Sequence, residues 1–151
     1  MSEHTNASEG RVAVDIGESG YASRITVNHH ELVSDEPAAV GGSDGGPTPY
    51  DLILAGLGSC KAITMRMYAD RKGWNLTSAN VRLAHKRIHA ADCANCDTQE
   101  GRIDHIAVQI ELAGDLTDEQ RQRLLEIADR CPVHRTLTSE IVINTTLAAE
   151  A

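Results

Sequence analysis

A segment of roughly 24 residues, from Pro49 to Lys72, constrains this chain more than any other. It has no proline after its first position, it follows Thr48, which suits a helix cap, and Gly73 follows it as a plausible C-terminal glycine. These signals predict one helix about 36 Å long. Its first half is apolar on every side, so other elements or a partner subunit must surround it, and Gly56 and Gly58 would let a neighbour come close.

Alternating apolar and polar residues predict strands on both sides of this helix. The predicted strands cover residues 11–16, 21–28, 30–33, 79–89, 102–112 and 141–147. A second helix is predicted between Thr117 and Pro132, because Thr117 and Gln120 match a capping box and apolar positions recur with helical spacing. Residues 34–46 are rich in Gly, Ser and Asp and are expected to form a solvated loop, including Asp35.

Length and composition narrow the class of protein. The 151 residues suit one domain, predicted at 11–151 after a flexible polar tail at 1–10. The tail has neither a basic nor an apolar leader region, so a cytoplasmic location is expected, and no apolar run is long enough for a membrane span. A net charge of -8 and only 3% aromatic residues disfavour nucleic acid as a partner.

Two of the four cysteines stand in positions where chemistry is plausible. Cys60 lies in the apolar half of the first helix, where a cysteine is often only a small hydrophobic residue. Cys131 precedes Pro132 and could cap the next turn, so backbone N–H groups, together with the charges of His134 and Arg135, would lower the pKa of its thiol. The sequence therefore predicts a thiolate environment at Cys131.

The other two cysteines, Cys93 and Cys96, form a CxxC between the two long strands. With His85 and His89 they could supply four zinc ligands, but two histidines four positions apart on a strand stand about 13 Å apart. The alternatives are a labile disulfide, an auxiliary thiol pair, or an exposed pair with no essential role. No metal and no cofactor are expected.

Residues 41–74, residues 114–137 and the order of elements together resemble the OsmC/Ohr family, the osmotically inducible protein C-like proteins. The two landmarks of the resemblance are Cys60 in the long helix and the Cys131–Pro132 pair after the second helix. It implies an α+β fold in which curved antiparallel sheets pack around the long central helix. It also implies an intertwined homodimer with active sites at the subunit interface.

The resemblance also implies an activity. In the peroxidase branches of the family the helix cysteine attacks an organic hydroperoxide and the Cys-Pro cysteine resolves the sulfenic acid as a disulfide. Those roles would fall on Cys60 and Cys131. The branches also use an arginine held by a glutamate ten residues before the helix cysteine; that position is Tyr50 here, the nearest acid is Asp51, and Arg24 is the candidate arginine.

The leading hypothesis is therefore a thiol peroxidase that reduces organic hydroperoxides in oxidative or osmotic stress defence, with electrons from an external dithiol. Its expected catalytic residues are Cys60, Cys131 and Arg24, and Tyr50 and Asp51 are expected to bind substrate. One alternative is a non-catalytic stress protein that binds a small apolar ligand in a cavity beside Cys60. Another is a redox or metal sensor centred on the CxxC.

Overall fold

The structure is a computed structural model that describes residues 10–149. The predicted tail at 1–10 lies outside the described residues except for Gly10. The chain forms two compact units, one ending at Ile53 and one beginning at Leu54. Along the described chain, no helix is long and apolar enough to cross a membrane.

The first unit contains a three-stranded antiparallel sheet, as predicted. Its strands are β1 (Val12–Ile16), β2 (Ser23–Val27) and β3 (His30–Ser34), in the order β1-β2-β3. The tight turn between β2 and β3 uses Asn28 at a φ of 55°, which asparagine tolerates better than most residues. The apolar residues that alternate along β1 are about 60% exposed, so one face of this strand is both apolar and exposed.

The loop after β3 is organised around Asp35, which is buried and not solvated as expected. Its carboxylate accepts the backbone N–H groups of Glu36 at 2.7 Å, Gly45 at 3.0 Å and Ser43 at 3.2 Å. The N–H of Gly45, followed by that of Glu36, lowers the pKa of Asp35 because both favour the ionised carboxylate. The loop is therefore folded around one buried acid.

Helix α1 (Pro49–Lys72) has the predicted bounds. Its start is fixed by reciprocal bonds: the Asp51 N–H donates to the Thr48 hydroxyl at 3.2 Å, and the Thr48 N–H donates to the Asp51 carboxylate at 3.0 Å. It ends at Gly73, which adopts a φ of 69°. Within the second unit a Cβ on Gly58 would lie 2.7 Å from a methyl group of Leu83, so a larger residue there would force the Leu83 side chain to shift, whereas Gly56 has open space.

The second unit adds a long hairpin and two helices. Strands β4 (Asn75–His89) and β5 (Arg102–Asp115) pair antiparallel and are longer than predicted. Helix α2 (Asp118–Ala128) starts with the predicted capping box, in which Thr117 and Gln120 exchange bonds of 3.1 and 3.0 Å. A short helix α3 (Pro132–Leu137) follows.

The core of the second unit lies between α1, β4 and α2. Its buried members are Met65, Ala69, Leu76, Leu124 and Ala128. Full burial of a side chain such as Met or Leu contributes about 1.5–3 kcal/mol. This aliphatic cluster holds α2, and so the Cys131 turn after it, against the middle of α1.

The predicted last strand at 141–147 does not form. Residues 140–149 have no regular structure, and the side chains of Val142, Ile143 and Leu147 are strongly exposed. The alternation along this segment is typical of a strand, but a strand requires a neighbour with which to exchange backbone hydrogen bonds. Among residues 10–149, which the structure describes, no strand pairs with this segment.

Candidate active site

Cys60 lies on α1 as predicted, half-buried and with a free thiol. One turn later, the hydroxyl of Thr64 donates to the backbone carbonyl of Cys60 at 2.7 Å. The hydroxyl is therefore occupied by the helix backbone. The Cys60 side chain is presented by an unbroken stretch of helix.

Cys131 occupies the predicted capping position at the start of α3. Its backbone is extended, Pro132 takes the first helical position, and the Cys131 Sγ accepts the backbone N–H of His134 at 3.3 Å. The side chain is fully buried and its thiol is free. The structure thus confirms the cap geometry.

The prediction that the surroundings of Cys131 favour a thiolate is wrong. Burial raises the pKa of the Cys131 thiol above its ordinary value, since a buried charge loses its hydration. The N–H of His134 and the positive charge of Lys61 lower this pKa but do not outweigh burial, and a hydrogen bond with Cys60 raises it further. A cap position alone therefore does not activate a thiol that is shielded from water.

The structure brings Cys60 and Cys131 together. The two thiols lie close enough that Cys60 raises the pKa of Cys131, although 71 positions separate them in the sequence. The aliphatic core packs α2 against α1, and this packing brings the two cysteines near each other. Both residues remain thiols, so a dithiol is assembled inside one chain.

Lys61 is the main site residue that the sequence analysis missed. It is only 1% exposed, and its Nζ lies 2.9 Å from the Asp129 carboxylate, 2.9 Å from Nδ1 of His134 and 3.2 Å from the Ala128 carbonyl oxygen. It directly follows Cys60, and its partners flank Cys131 on both sides. The sequence signal that could have revealed it is a lysine directly after the apolar first half of α1.

The model of the OsmC-like protein family matches residues 41–146, more than two thirds of the chain, and includes both thiols and Lys61. The chain belongs to the OsmC family. A comparison with curated protein sequences finds no match.

Solved structures of OsmC proteins share the fold. An OsmC-like protein of Mycoplasma pneumoniae is 19% identical with a TM-score of 0.65, covering 83% of this chain and 84% of the other. An organic hydroperoxide resistance protein of Legionella pneumophila is 17% identical with a TM-score of 0.60, covering 91% and 92%. One from Elizabethkingia anophelis, with thiocyanate bound, is 17% identical with a TM-score of 0.62, covering 84% and 86%. The α+β fold predicted from the OsmC resemblance is confirmed.

The remaining predicted site residues of this OsmC family member lie in the first unit. Arg24 is exposed on β2, opposite Asp15 of β1 and Val33 of β3. Tyr50 is exposed in the first turn of α1, and Asp51 binds the Thr48 N–H there. Asp51 therefore caps the helix. The catalytic role of Arg24 and the substrate-binding roles of Tyr50 and Asp51 stay predictions.

The CxxC lies at the tip of the β4–β5 hairpin, where Cys93 and Cys96 form a disulfide. His85 contacts the Asp104 carboxylate across the hairpin at 2.9 Å. In the part of the chain that the structure describes, no group of three His, Cys, Asp or Glu side chains is placed to hold a metal ion. Of the alternatives considered for Cys93 and Cys96, the structure shows the disulfide.

A groove of about 570 Å³ runs between α1 and α2, beginning at Thr64, one turn beyond Cys60. Cys60 is not part of its lining. Four basic side chains contribute to it, from Arg71, Lys72, Arg123 and Arg130, beside the apolar Met67 and Ile127. Its lining is thus mixed and cationic. The apolar cavity expected for a non-catalytic ligand-binding protein lay beside Cys60, which is a different place.

Proposed function

We propose that this OsmC family member is a cysteine-based peroxidase that reduces organic hydroperoxides, with Cys60 as the peroxidatic and Cys131 as the resolving residue. The observation that carries the proposal is that two free thiols on separate elements are close enough for one to shift the pKa of the other. A thiol pair of this kind can be oxidised to a disulfide and reduced again without over-oxidation. The names of the Legionella and Elizabethkingia proteins supply the substrate class.

The reaction has three steps. The Cys60 thiolate attacks one peroxide oxygen, the O–O bond breaks, and the alkoxide leaves and takes up a proton to become an alcohol. The Cys131 thiolate then attacks the sulfur of the Cys60 sulfenic acid, and the hydroxyl group leaves as water once protonated. An external dithiol reduces the resulting disulfide, returning two electrons and two protons.

The environments of the two sulfurs support this assignment of roles. Burial raises the pKa of Cys131, and this makes its thiol harder to ionise than an exposed one. Cys60 is the more exposed of the two and is the one that a hydroperoxide can reach. Attack by Cys60 followed by resolution by Cys131 is the order that these environments favour.

The proposal includes a homodimer and a cytoplasmic location. Apolar side chains remain exposed along β1, on α1 at Ile53 and Ile63, and in the segment 140–149, and a second copy of the chain would cover such surfaces. The proposed cycle needs an external dithiol, and dithiol reductants work in compartments that keep thiols reduced. The catalytic role of Arg24 and the substrate-binding roles of Tyr50 and Asp51 remain part of the proposal.

Stopped-flow consumption of cumene hydroperoxide and of hydrogen peroxide, with dithiothreitol as reductant, tests the activity. Wild type should prefer the organic substrate, Cys60→Ser should lose turnover, and the double variant Cys93→Ser/Cys96→Ser should retain it as the matched control. A wild-type chain that consumes neither peroxide, or a Cys60→Ser variant with wild-type turnover, would overturn the proposal.

A further inference from the structure

The buried ammonium group of Lys61 has a complete set of partners. A protonated lysine offers three N–H donors, and three acceptors surround it: the Asp129 carboxylate, the His134 Nδ1 and the Ala128 carbonyl. Burial of a lysine is costly unless its charge is paired and its donors are satisfied, and both conditions hold here.

His134 contacts the cluster through two different groups. Its Nδ1 lies 2.9 Å from Nζ of Lys61, and an ammonium group can only donate, so Nδ1 is the acceptor of that bond. Its backbone N–H donates to the Cys131 sulfur at 3.3 Å. Lys61 and Asp129 form the ion pair of the cluster.

The contacts of Lys61 lie on both sides of Cys131 in the chain. Ala128 and Asp129 end α2, whereas His134 belongs to the first turn of α3. One side chain of α1 thus binds both ends of the turn that carries Cys131. Because Lys61 directly follows Cys60, the same residue fixes the position of one thiol relative to the other.

We propose that Lys61 is a positioning residue for disulfide formation between Cys60 and Cys131, holding the Cys131 turn on α1 and placing a positive charge beside its sulfur. The inference deepens the proposed peroxidase function and rests on it. In the step concerned, Cys131 gives up its proton, its sulfur bonds to the Cys60 sulfur, and the sulfenic hydroxyl leaves as water.

The charge is needed because Cys131 must ionise in a buried place. Burial raises the pKa of its thiol, and the groups that oppose this rise are the His134 N–H and the Lys61 ammonium. Cys60 acts on Cys131 from α1, and Asp129 carries the negative charge of the cluster. The Asp129 side chain is 69% exposed, so water weakens its opposing effect without removing it, whereas the Lys61 charge is buried.

Lys61→Met tests the inference by single-turnover kinetics with cumene hydroperoxide, in which the sulfenic acid is trapped with dimedone and the disulfide is quantified. We expect disulfide formation about tenfold slower at neutral pH, a deficit that shrinks as pH rises, and recovery in Lys61→Arg. Lys86→Met, which removes an exposed lysine of β4, is the matched control and should match wild type. A wild-type rate in Lys61→Met, or an equal deficit at every pH that Lys61→Arg does not relieve, would overturn the inference.

A second measurement does not depend on peroxidase activity. In a Cys60→Ser/Cys93→Ser/Cys96→Ser background, the thiolate absorbance of Cys131 is titrated with pH. Adding Lys61→Met should move the midpoint upward, and adding Asp129→Asn should move it downward; the second variant also serves if Lys61→Met fails to fold. Unchanged midpoints would refute the charge role. A wild-type chain inactive toward hydroperoxides, together with shifted midpoints, would instead refute only the proposed function.

Discussion

Ile143→Glu is the substitution expected to disrupt the proposed homodimer most sharply. Ile143 is 82% exposed in the single chain, within a segment that alternates like a strand but has no strand partner among the described residues. Burying one isoleucine side chain is worth about 1.5–3 kcal/mol, and a symmetric dimer buries two. The loss is then about 3–6 kcal/mol per dimer, before the cost of a buried carboxylate is added.

At 1.4 kcal/mol per factor of ten, the dimer Kd should rise by about 10²- to 10⁴-fold. Sedimentation equilibrium over a range of micromolar concentrations measures this change. Gln122→Glu adds the same charge at an exposed position of α2 and should leave the Kd unchanged. An Ile143→Glu variant as dimeric as wild type would refute the reasoning about this segment, and a wild-type monomer at micromolar concentration would refute the dimer.

Three further predictions concern stability and the hairpin tip. Thr117→Ala removes the capping box of α2 and should lower the free energy of unfolding by about 1 kcal/mol in urea denaturation; an unchanged midpoint would contradict the capping argument. Because the folded-state pKa of Cys131 is raised, its contribution to stability is present below the unfolded-chain pKa of about 8.5 and is lost as pH rises through the folded value. Wild type should therefore lose stability above that pH relative to Cys131→Ser in denaturation at a series of pH values, and parallel profiles would argue against the raised pKa. Cys93→Ser/Cys96→Ser should melt close to wild type because a hairpin tip adds little to the core, whereas loss of bound zinc with a large fall in Tm would favour the metal alternative.

The helices were predictable because their signals are local. The ends of α1 depend on Thr48 and Gly73, which flank the helix, and on Asp51 in its first turn. The same holds for α2, whose capping box lies within four residues. Such signals are independent of the rest of the fold, so the sequence is enough to read them.

The wrong and missing predictions concern features that depend on contacts between distant parts of the chain. The strand predicted at 141–147 needs a partner strand, which alternation cannot supply. The role of Lys61 was not predicted because its partners Asp129 and His134 are 68 and 73 positions away. The direction of the Cys131 pKa was misjudged because the cap is a local feature, whereas the burial that outweighs it arises from packing.

The redox pair is tested most directly by one equivalent of cumene hydroperoxide added to the reduced protein, followed by mass spectrometric mapping of its cysteines. We predict a Cys60–Cys131 disulfide in wild type, a Cys60 sulfenic acid that over-oxidises in Cys131→Ser, and no oxidation of Cys131 in Cys60→Ser. Oxidation that falls on Cys131 first, or a wild-type protein in which Cys60 and Cys131 do not become linked, would contradict the account.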